Sequence, residues 1–286
     1  MAFATADHPI WAIMSCENLQ TMLSSVPVAT KFPASAALNI RFAETDDDLH
    51  KAQVLRGHVF SKIISDKDQY LDQDIYDRHA EHVLVFERLA SGDEVLVATC
   101  RLIDGTAAAQ TGGFYSASEF NLPKVFQQAR VLEMGRVCVS PAYRGRHAVD
   151  YLWHGIWRYV TSKGVRYLFG CASFVGTNPR SHDQAFRWLC DNATLPKRLE
   201  PSPIGPSNFF IIDMSSKAGA PPRAQNGFRM LPPLLKGYLR VGAKVSSVGY
   251  VDHAFNTCDV FVVLDTKAVS ARYLKRFDPN SRSLAA

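Results

Sequence analysis

The run RVLEMGRVCV at residues 130–139 stops just before Pro141, and AVDYLWHGIWRYVTSKG at 148–164 starts after a short turn. No other feature constrains the fold as much. The first stretch alternates and is rich in branched residues, as strands are; the second carries Val149, Leu152, Trp153, Ile156 and Val160 along one helical stripe and ends at Gly164. A strand that passes straight into an amphipathic helix commits the chain to a sheet with helices packed on it.

The rest of the chain fits that architecture. ETDDDLHKAQVLRGHVFSKII begins with Thr45 and Asp48 at capping-box-like spacing and sets Leu49, Ala52, Val59, Phe60 and Ile63 at helical intervals. HVLVFERL and EVLVATCRLI read as an antiparallel hairpin, because ASGDE between them supplies turn residues. SASEFNLPKVFQQ predicts a short helix, VRYLFGCASF a strand and SHDQAFRWLCDNA a helix. From about 199 to 227 Pro, Ser and Gly interrupt the pattern, with FFIIDM as a strand inside it. LPPLLKGYLRVGAKV and DVFVVLDT then predict a helix or turn followed by strands that rejoin the sheet. The reading is one α/β domain over 39–270 with an irregular insertion at 199–227, a poorly ordered arm at 1–38 and a tail at 271–286.

Composition agrees with a folded chain, since 47% of its 286 residues are hydrophobic and 21% charged. A net charge of +5 favours acidic partners or anionic surfaces and does not imply nucleic acid. Cys16, Cys100, Cys138, Cys171, Cys190 and Cys258 form no C-x-x-C pair and no Cys/His cluster, so a reduced interior without a metal is expected. His79 and His82 lack further ligands at metal spacing and read as packing or hydrogen-bonding residues. The first thirty residues hold no Lys or Arg, and no apolar run reaches transmembrane length, so a cytoplasmic protein is expected.

Several polar residues stand in apolar or ordered surroundings. Arg56 precedes Phe60 by four residues; Asp72, Asp74 and Asp77 lie in DQDIYD; Arg101 sits in TCRLI, and Glu133 and Arg136 in EMGR. This set, in this order, resembles that of the acyl-homoserine lactone synthases. The hairpin, strand, SPAYRGR turn and helix resemble the Gcn5-related N-acetyltransferase fold, a central mixed sheet with flanking helices. In that fold the turn is expected to read Gln/Arg-x-x-Gly-x-Gly/Ala, so that backbone N–H groups approach the CoA pyrophosphate. Here Arg144 opens the pattern, while His147 and Val149 occupy the glycine positions. HVLV, LEMGRVCVSPAYR, LWHGIWRYV, YLFGCASFVGT, LPPLLKGYLRVGAKV and FNTCDVFVVLD are more similar still to the ornithine lipid N-acyltransferases, over residues 40–266.

That resemblance implies transfer of a 3-hydroxyacyl chain from acyl carrier protein to the α-amino group of L-ornithine, giving lyso-ornithine lipid. The donor's phosphopantetheine is part of a substrate, and no separate cofactor is implied. A carrier-bound pantetheine hangs from a serine phosphate and lacks the adenosine diphosphate, which accounts for the missing glycines. Glu133 is then the candidate base for the ammonium proton, with pairing to an arginine as its structural alternative. Residues 133 and 136 can share a site only across a bulge at Gly135, because i and i+3 on a regular strand face opposite ways.

The resemblance also implies substrate contacts at Arg56, Phe60, Asp72, Asp74, Asp77 and Arg101. Either the aspartates hold the acceptor's cationic side chain, or they line a solvated loop; the arginines hold those carboxylates or bind the amino acid's own carboxylate. Val137, Val139, Arg144 and Arg146 would border pantetheine. Arg158, Lys163 and Arg166 would extend a basic surface towards the carrier. LLKGYLRVGAKV is basic and apolar enough to dock on the inner membrane, and core packing explains its apolar residues equally well. Ser173 and Cys171 in GCASF lack a nucleophile elbow. No His has an Asp four or five residues later, which argues against the H-x-x-x-D and H-x-x-x-x-D acyltransferases, and no Walker-type loop is present. An N-acyl amino acid or acyl-homoserine lactone synthase and a non-catalytic carrier or lipid binder are the alternative readings.

Overall fold

The start of the first helix shows the capping chemistry directly. The Asp48 amide donates to Thr45 Oγ1 at 3.1 Å, while Asp48 Oδ2 accepts from the Glu44 amide at 3.1 Å. The computed structural model describes residues 38–64, 71–144, 147–205, 208–212 and 227–277. Strand β1 (Leu38–Phe42) leads into α1 (Asp46–Ile64), and the hairpin β2 (Glu81–Arg88) and β3 (Glu94–Asp104) follows. A short helix α2 (Gly105–Gln110) precedes β4 (Phe120–Asn121), β5 (Val131–Val139), α3 (Ala148–Lys163), β6 (Tyr167–Val175) and α4 (Asp183–Asn192). Then come β7 (Ser202–Pro203), β8 (Phe209–Ile211), α5 (Gly227–Met230), α6 (Pro233–Val241), β9 (Lys244–Asp252), β10 (Thr257–Asp265) and α7 (Ala271–Phe277).

Among the described residues the main sheet has the order β1-β2-β3-β5-β6-β10-β9-β8, and β4 pairs with β7 in a separate ladder. Within the main sheet β5 and β6 are parallel and the other neighbours antiparallel. Alternation along β2 shows how the two layers form. Val83 and Val85 join the core beneath α3, while Leu84 and Phe86 pack with Ala52 of α1 on the opposite face. The same parity runs across the sheet: Leu132 and Leu168 face the α3 side, whereas Val131, Tyr167 and Phe169 face the other.

Three expectations change in detail. SASEFNLPKVFQQ forms two 3₁₀ turns, Tyr115–Ser118 and Lys124–Gln127, separated by β4, because Pro123 breaks any single helix. Val149 is 38% exposed, so the buried stripe of α3 runs from Ala148 to Leu152 and leaves Val149 outside it. The first residues of the expected C-terminal tail form α7, whose Phe277 stacks on Trp153 of α3 at 5.2 Å. The expected N-terminal arm, apart from Leu38, lies outside the described residues. In α6 Leu235, Tyr238 and Val241 are buried in the core and Leu234 and Leu239 lean on it, so core packing uses the apolar side chains of LLKGYLRV. No helix among the described residues is long and apolar enough to cross a membrane.

Candidate active site

Strands β5 and β6 pair only from Val131–Tyr167 to Glu133–Phe169. Beyond that rung they part, although β5 stays paired to β3 as far as Val139 and β6 to β10 as far as Val175. The sheet therefore forks. Gly170 makes this geometry possible, since a Cβ there would come within 2.4 Å of the Met134 carbonyl oxygen. An apolar pocket lies at the fork on the α3 side, lined by Met134, Leu168, Gly170 and Val262 from the sheet and by Trp153 and Tyr238 from the helices above.

Glu133 stands on the last paired rung and is fully buried. One carboxylate oxygen accepts the Tyr115 amide at 2.7 Å; the other accepts the Ser116 amide at 2.7 Å and a short bond from the Ser116 hydroxyl. Burial raises its pKa, these three donors oppose the rise, and the carboxyl rests at about 6. No arginine forms an ion pair with Glu133 among the described residues; the start of a 3₁₀ turn holds it instead.

The bulge that a shared site requires is present, one residue later than expected. Arg136, not Gly135, adopts a left-handed backbone with φ of 51°, and the β3 register slips between Thr99 and Arg101 opposite it. Such a conformation costs a non-glycine residue about 1–3 kcal/mol. It also turns the Arg136 side chain to the Glu133 face, where its Nε lies 2.9 Å from Asp72 and its Nη2 3.1 Å from Asp74. Arg56 pairs with Asp72 at 2.7 Å and Asp77 at 2.6 Å, and Arg101 with Asp74 at 2.6 Å and Asp77 at 2.8 Å.

Three guanidiniums and three carboxylates thus make one buried network whose formal charges cancel. No anionic excess is left in it for a substrate ammonium. Tyr115 links this network to Glu133: its amide binds the carboxylate, and its ring lies 5.2 Å from the Arg136 and 5.6 Å from the Arg101 guanidinium. Phe60 lies beside the network in an apolar cluster with Val59, Cys138 and Phe255. His82 is buried and donates from Nε2 to the Asp77 carbonyl at 2.9 Å; burial pushes its pKa down to about 4.

The remaining residues divide. Val139 is buried in the core beneath α3 and Val137 packs against it, so only their backbone faces the fork. Arg144 is partly exposed in the turn before α3, whereas Arg146 lies outside the described residues. Lys163 and Arg166 belong to the far end of α3, about 24 Å from its start by helical rise. Arg166 is engaged there with Asp265, at 2.7 Å through Nη2, so the expected basic residues do not make one patch at the fork. Burial, followed by the Glu119 and Asp259 charges, holds the Cys171 thiol well above its usual range, the opposite of an activated nucleophile.

A second polar group was not singled out in the sequence. Ser116, Glu119, Asp252 and Asp259 gather on the same face of the sheet, next to Cys171. The available signal was Asp259, an acid inside the apolar run TCDVFVVLD, much as Glu133 interrupts RVLEMGRVCV.

Residues 55–154 match the family model described as "Acetyltransferase (GNAT) domain". The chain is 34% identical over 267 residues to an L-ornithine N(alpha)-acyltransferase of Rhizobium meliloti (strain 1021), covering 88% of each chain. It is 33% identical over 260 residues to the enzyme of the same name from Agrobacterium fabrum (strain C58 / ATCC 33970), covering 86% of this chain and 87% of that one. Among solved structures, FeeM, an N-acyl amino acid synthase from uncultured soil microbes, aligns over 82% of this chain and 95% of that chain at 12% identity, with a TM-score of 0.43. The forked sheet, the GNAT match and these full-length relatives together make this chain an acyltransferase that belongs to the L-ornithine N(alpha)-acyltransferase family.

Proposed function

We propose that the protein transfers a 3-hydroxyacyl group from acyl carrier protein to the α-amino nitrogen of L-ornithine, the first step towards an ornithine lipid. The observation that carries this reading is the fork between β5 and β6 with Glu133 at its apex. Pantetheine enters the gap and hydrogen-bonds to strand backbone freed by the parting of the sheet, which brings the thioester carbonyl up to Glu133. An α-ammonium with a pKa of roughly 8 is protonated at neutral pH, and a carboxylate with a pKa of about 6 is ionised there and can accept its proton, directly or through one water. The amine then attacks the thioester carbon, a C–N bond forms, and the C–S bond breaks. The carrier thiolate leaves and takes up a proton. Backbone N–H groups of the splayed strand stabilise the oxyanion.

The acceptor follows from the named activity of the full-length relatives. The carrier-bound donor is supported by the turn before α3, where His147 and the exposed Val149 replace the glycines that would admit a pyrophosphate. Incubation of the purified protein with 3-hydroxypalmitoyl carrier protein, 3-hydroxypalmitoyl-CoA, ornithine and S-adenosylmethionine in separate pairings tests both assignments by mass spectrometry. The expected product is Nα-(3-hydroxypalmitoyl)ornithine from the carrier-bound donor. Turnover only with S-adenosylmethionine, or only with CoA thioesters, would overturn the acceptor or the donor assignment.

We infer that the first carbons of the acyl tail reach the apolar pocket at the fork, which is too small in this structure to hold a long chain. Val262→Phe, which fills part of that space, is expected to shift preference towards shorter chains by about tenfold in relative kcat/KM, because one or two methylenes of lost room cost about 1–3 kcal/mol. Competition between C10 and C16 donors measures it. The product's long chain would partition into the inner leaflet, and a vesicle flotation assay tests whether the enzyme is peripheral there.

A further inference from the structure

We propose that Glu119, Asp252 and Asp259 form the pocket that binds the side-chain ammonium of the acceptor amino acid. This deepens the reading of the chain as an ornithine N-acyltransferase and rests on it.

The three residues come from separate elements, the end of the Tyr115–Ser118 turn, the end of β9, and β10, yet a carboxylate oxygen of each lies within 4.8 Å of one from each of the others. Glu119 is 4% exposed and Asp259 2%. Thr257 Oγ1 donates to Asp259 Oδ2 at 3.2 Å, and the Ala254 and Phe255 amides donate to Asp252 Oδ1 at 2.8 and 3.0 Å. The Cys171 thiol bonds to the Glu119 carboxyl and the Ser173 hydroxyl to that of Asp259, yet one oxygen of each, Glu119 Oε2 and Asp259 Oδ1, is buried without a hydrogen-bond partner. No arginine, lysine or histidine forms an ion pair with any of the three among the described residues.

Contrast with the neighbouring network makes the point. There, three aspartates meet three arginines; here, three carboxylates meet each other. A buried group of this kind must take up a cation or protons. Without a cation, burial and the Asp259 charge push the Glu119 carboxyl well above its usual range, and burial pushes Asp259 up to about 7.

Access and position specify the cation. A cleft lined by Ser118, Glu119, Asn208, Tyr250, Asp252 and His253 opens onto the cluster. Glu119 closes the same 3₁₀ turn whose first amides hold Glu133, its own amide donating to the Ser116 carbonyl at 3.1 Å. Cys171 Sγ lies 3.5 Å from Ser116 Oγ on the way between the two sites. The base and the acidic cluster are therefore held by the two ends of one 3₁₀ turn on one face of the sheet, near enough for the Glu133 charge to act on Glu119, as two groups that take the two amino groups of one ornithine must be. A primary ammonium carries three N–H donors, one for each carboxylate.

The test compares ornithine with norvaline, which ends in a methyl group where ornithine carries its terminal aminomethyl, using 3-hydroxypalmitoyl carrier protein and the full chain. Wild type is expected to favour ornithine by on the order of 10⁴-fold in kcat/KM, as sites built around a substrate N–H do. Asp252→Asn at the cleft wall, and independently Glu119→Gln, are expected to raise KM for ornithine by about 10- to 100-fold and so to narrow its preference over norvaline. If wild type acylates ornithine and norvaline alike, or acylates ornithine with a KM that neither substitution alters, the pocket is elsewhere. Stoichiometric metal in the active wild-type protein, lost in both variants, would also overturn the ammonium assignment. A wild type that acylates neither amino acid would instead sink the ornithine reading itself, a pattern distinct from the others. The wild-type comparison needs no variant to fold.

Discussion

Replacing Glu133 by glutamine is expected to lower kcat by about 10²- to 10⁴-fold, the range for loss of a positioned general base. It should also change the shape of the pH profile. The wild-type kcat should fall as pH drops through about 6, because the carboxylate that accepts the ammonium proton is then protonated. In the variant that limb disappears, and what activity is left should rise with pH through roughly 8 as free amine becomes available. A decrease of only twofold with the limb near 6 intact would move the base to another residue.

Stability supplies an independent check on the same group. The folded pKa of Glu133, about 6, lies above its ordinary 4.5, so its contribution is fully present below 4.5 and is lost as pH rises through 6. Ionised Glu133 thus costs the fold on the order of 2 kcal/mol at neutral pH. Glutamine removes that pH dependence, but it also sets a side-chain N–H₂ against either the Tyr115 or the Ser116 amide, each 2.7 Å from its present acceptor. The unfolding midpoint must therefore be measured beside kcat, so that a loss of structure is not read as a loss of base.

The parts of this arrangement that were readable in sequence are those governed by local rules. The hairpin, the β5-to-α3 passage and the first helix follow from alternation, turn residues and a capping pair. Glu133, Arg101 and Asp259 are visible as ionisable residues inside apolar strands, and such residues need partners. Which partners they take is not local. Arg136 reaches Asp72 across 64 positions of sequence, and only because a backbone φ of 51° turns it there. A regular strand would have aimed it at the α3 core. Residues 116–128 show the opposite limit: their helical spacing was overridden by Pro123 and by β4 pairing with β7. The division of the acids into a neutralised set and an uncompensated set depends on where the arginines sit in space, and no spacing rule contains that information.

Asp77→Asn is expected to cost about 3–5 kcal/mol, a fifth or more of the stability of an ordinary domain. Asp77 is buried and bound by Arg56 at 2.6 Å, Arg101 at 2.8 Å and Gln53 Nε2 at 3.0 Å. Burial alone would raise its pKa, but the two guanidiniums outweigh that and hold the carboxyl well below the usual carboxylate range. A group depressed in the folded state stabilises at every pH above its unfolded value near 3.9, and loses that contribution as pH falls through its folded value. Asparagine keeps the shape and removes the charge, leaving three buried guanidiniums against two carboxylates. Asp47, by contrast, pairs with Lys51 at 2.6 Å on the exposed side of α1, and Asp47→Asn should change stability by less than about 1 kcal/mol. Urea midpoints at pH 7 compare the two directly. Adding Arg101→Met to Asp77→Asn removes the one excess positive charge and should recover part of the loss. If instead the double variant loses the sum of the two single effects, the six residues stabilise the fold as separate pairs and charge cancellation across the network is not what keeps Arg136 in its strained conformation.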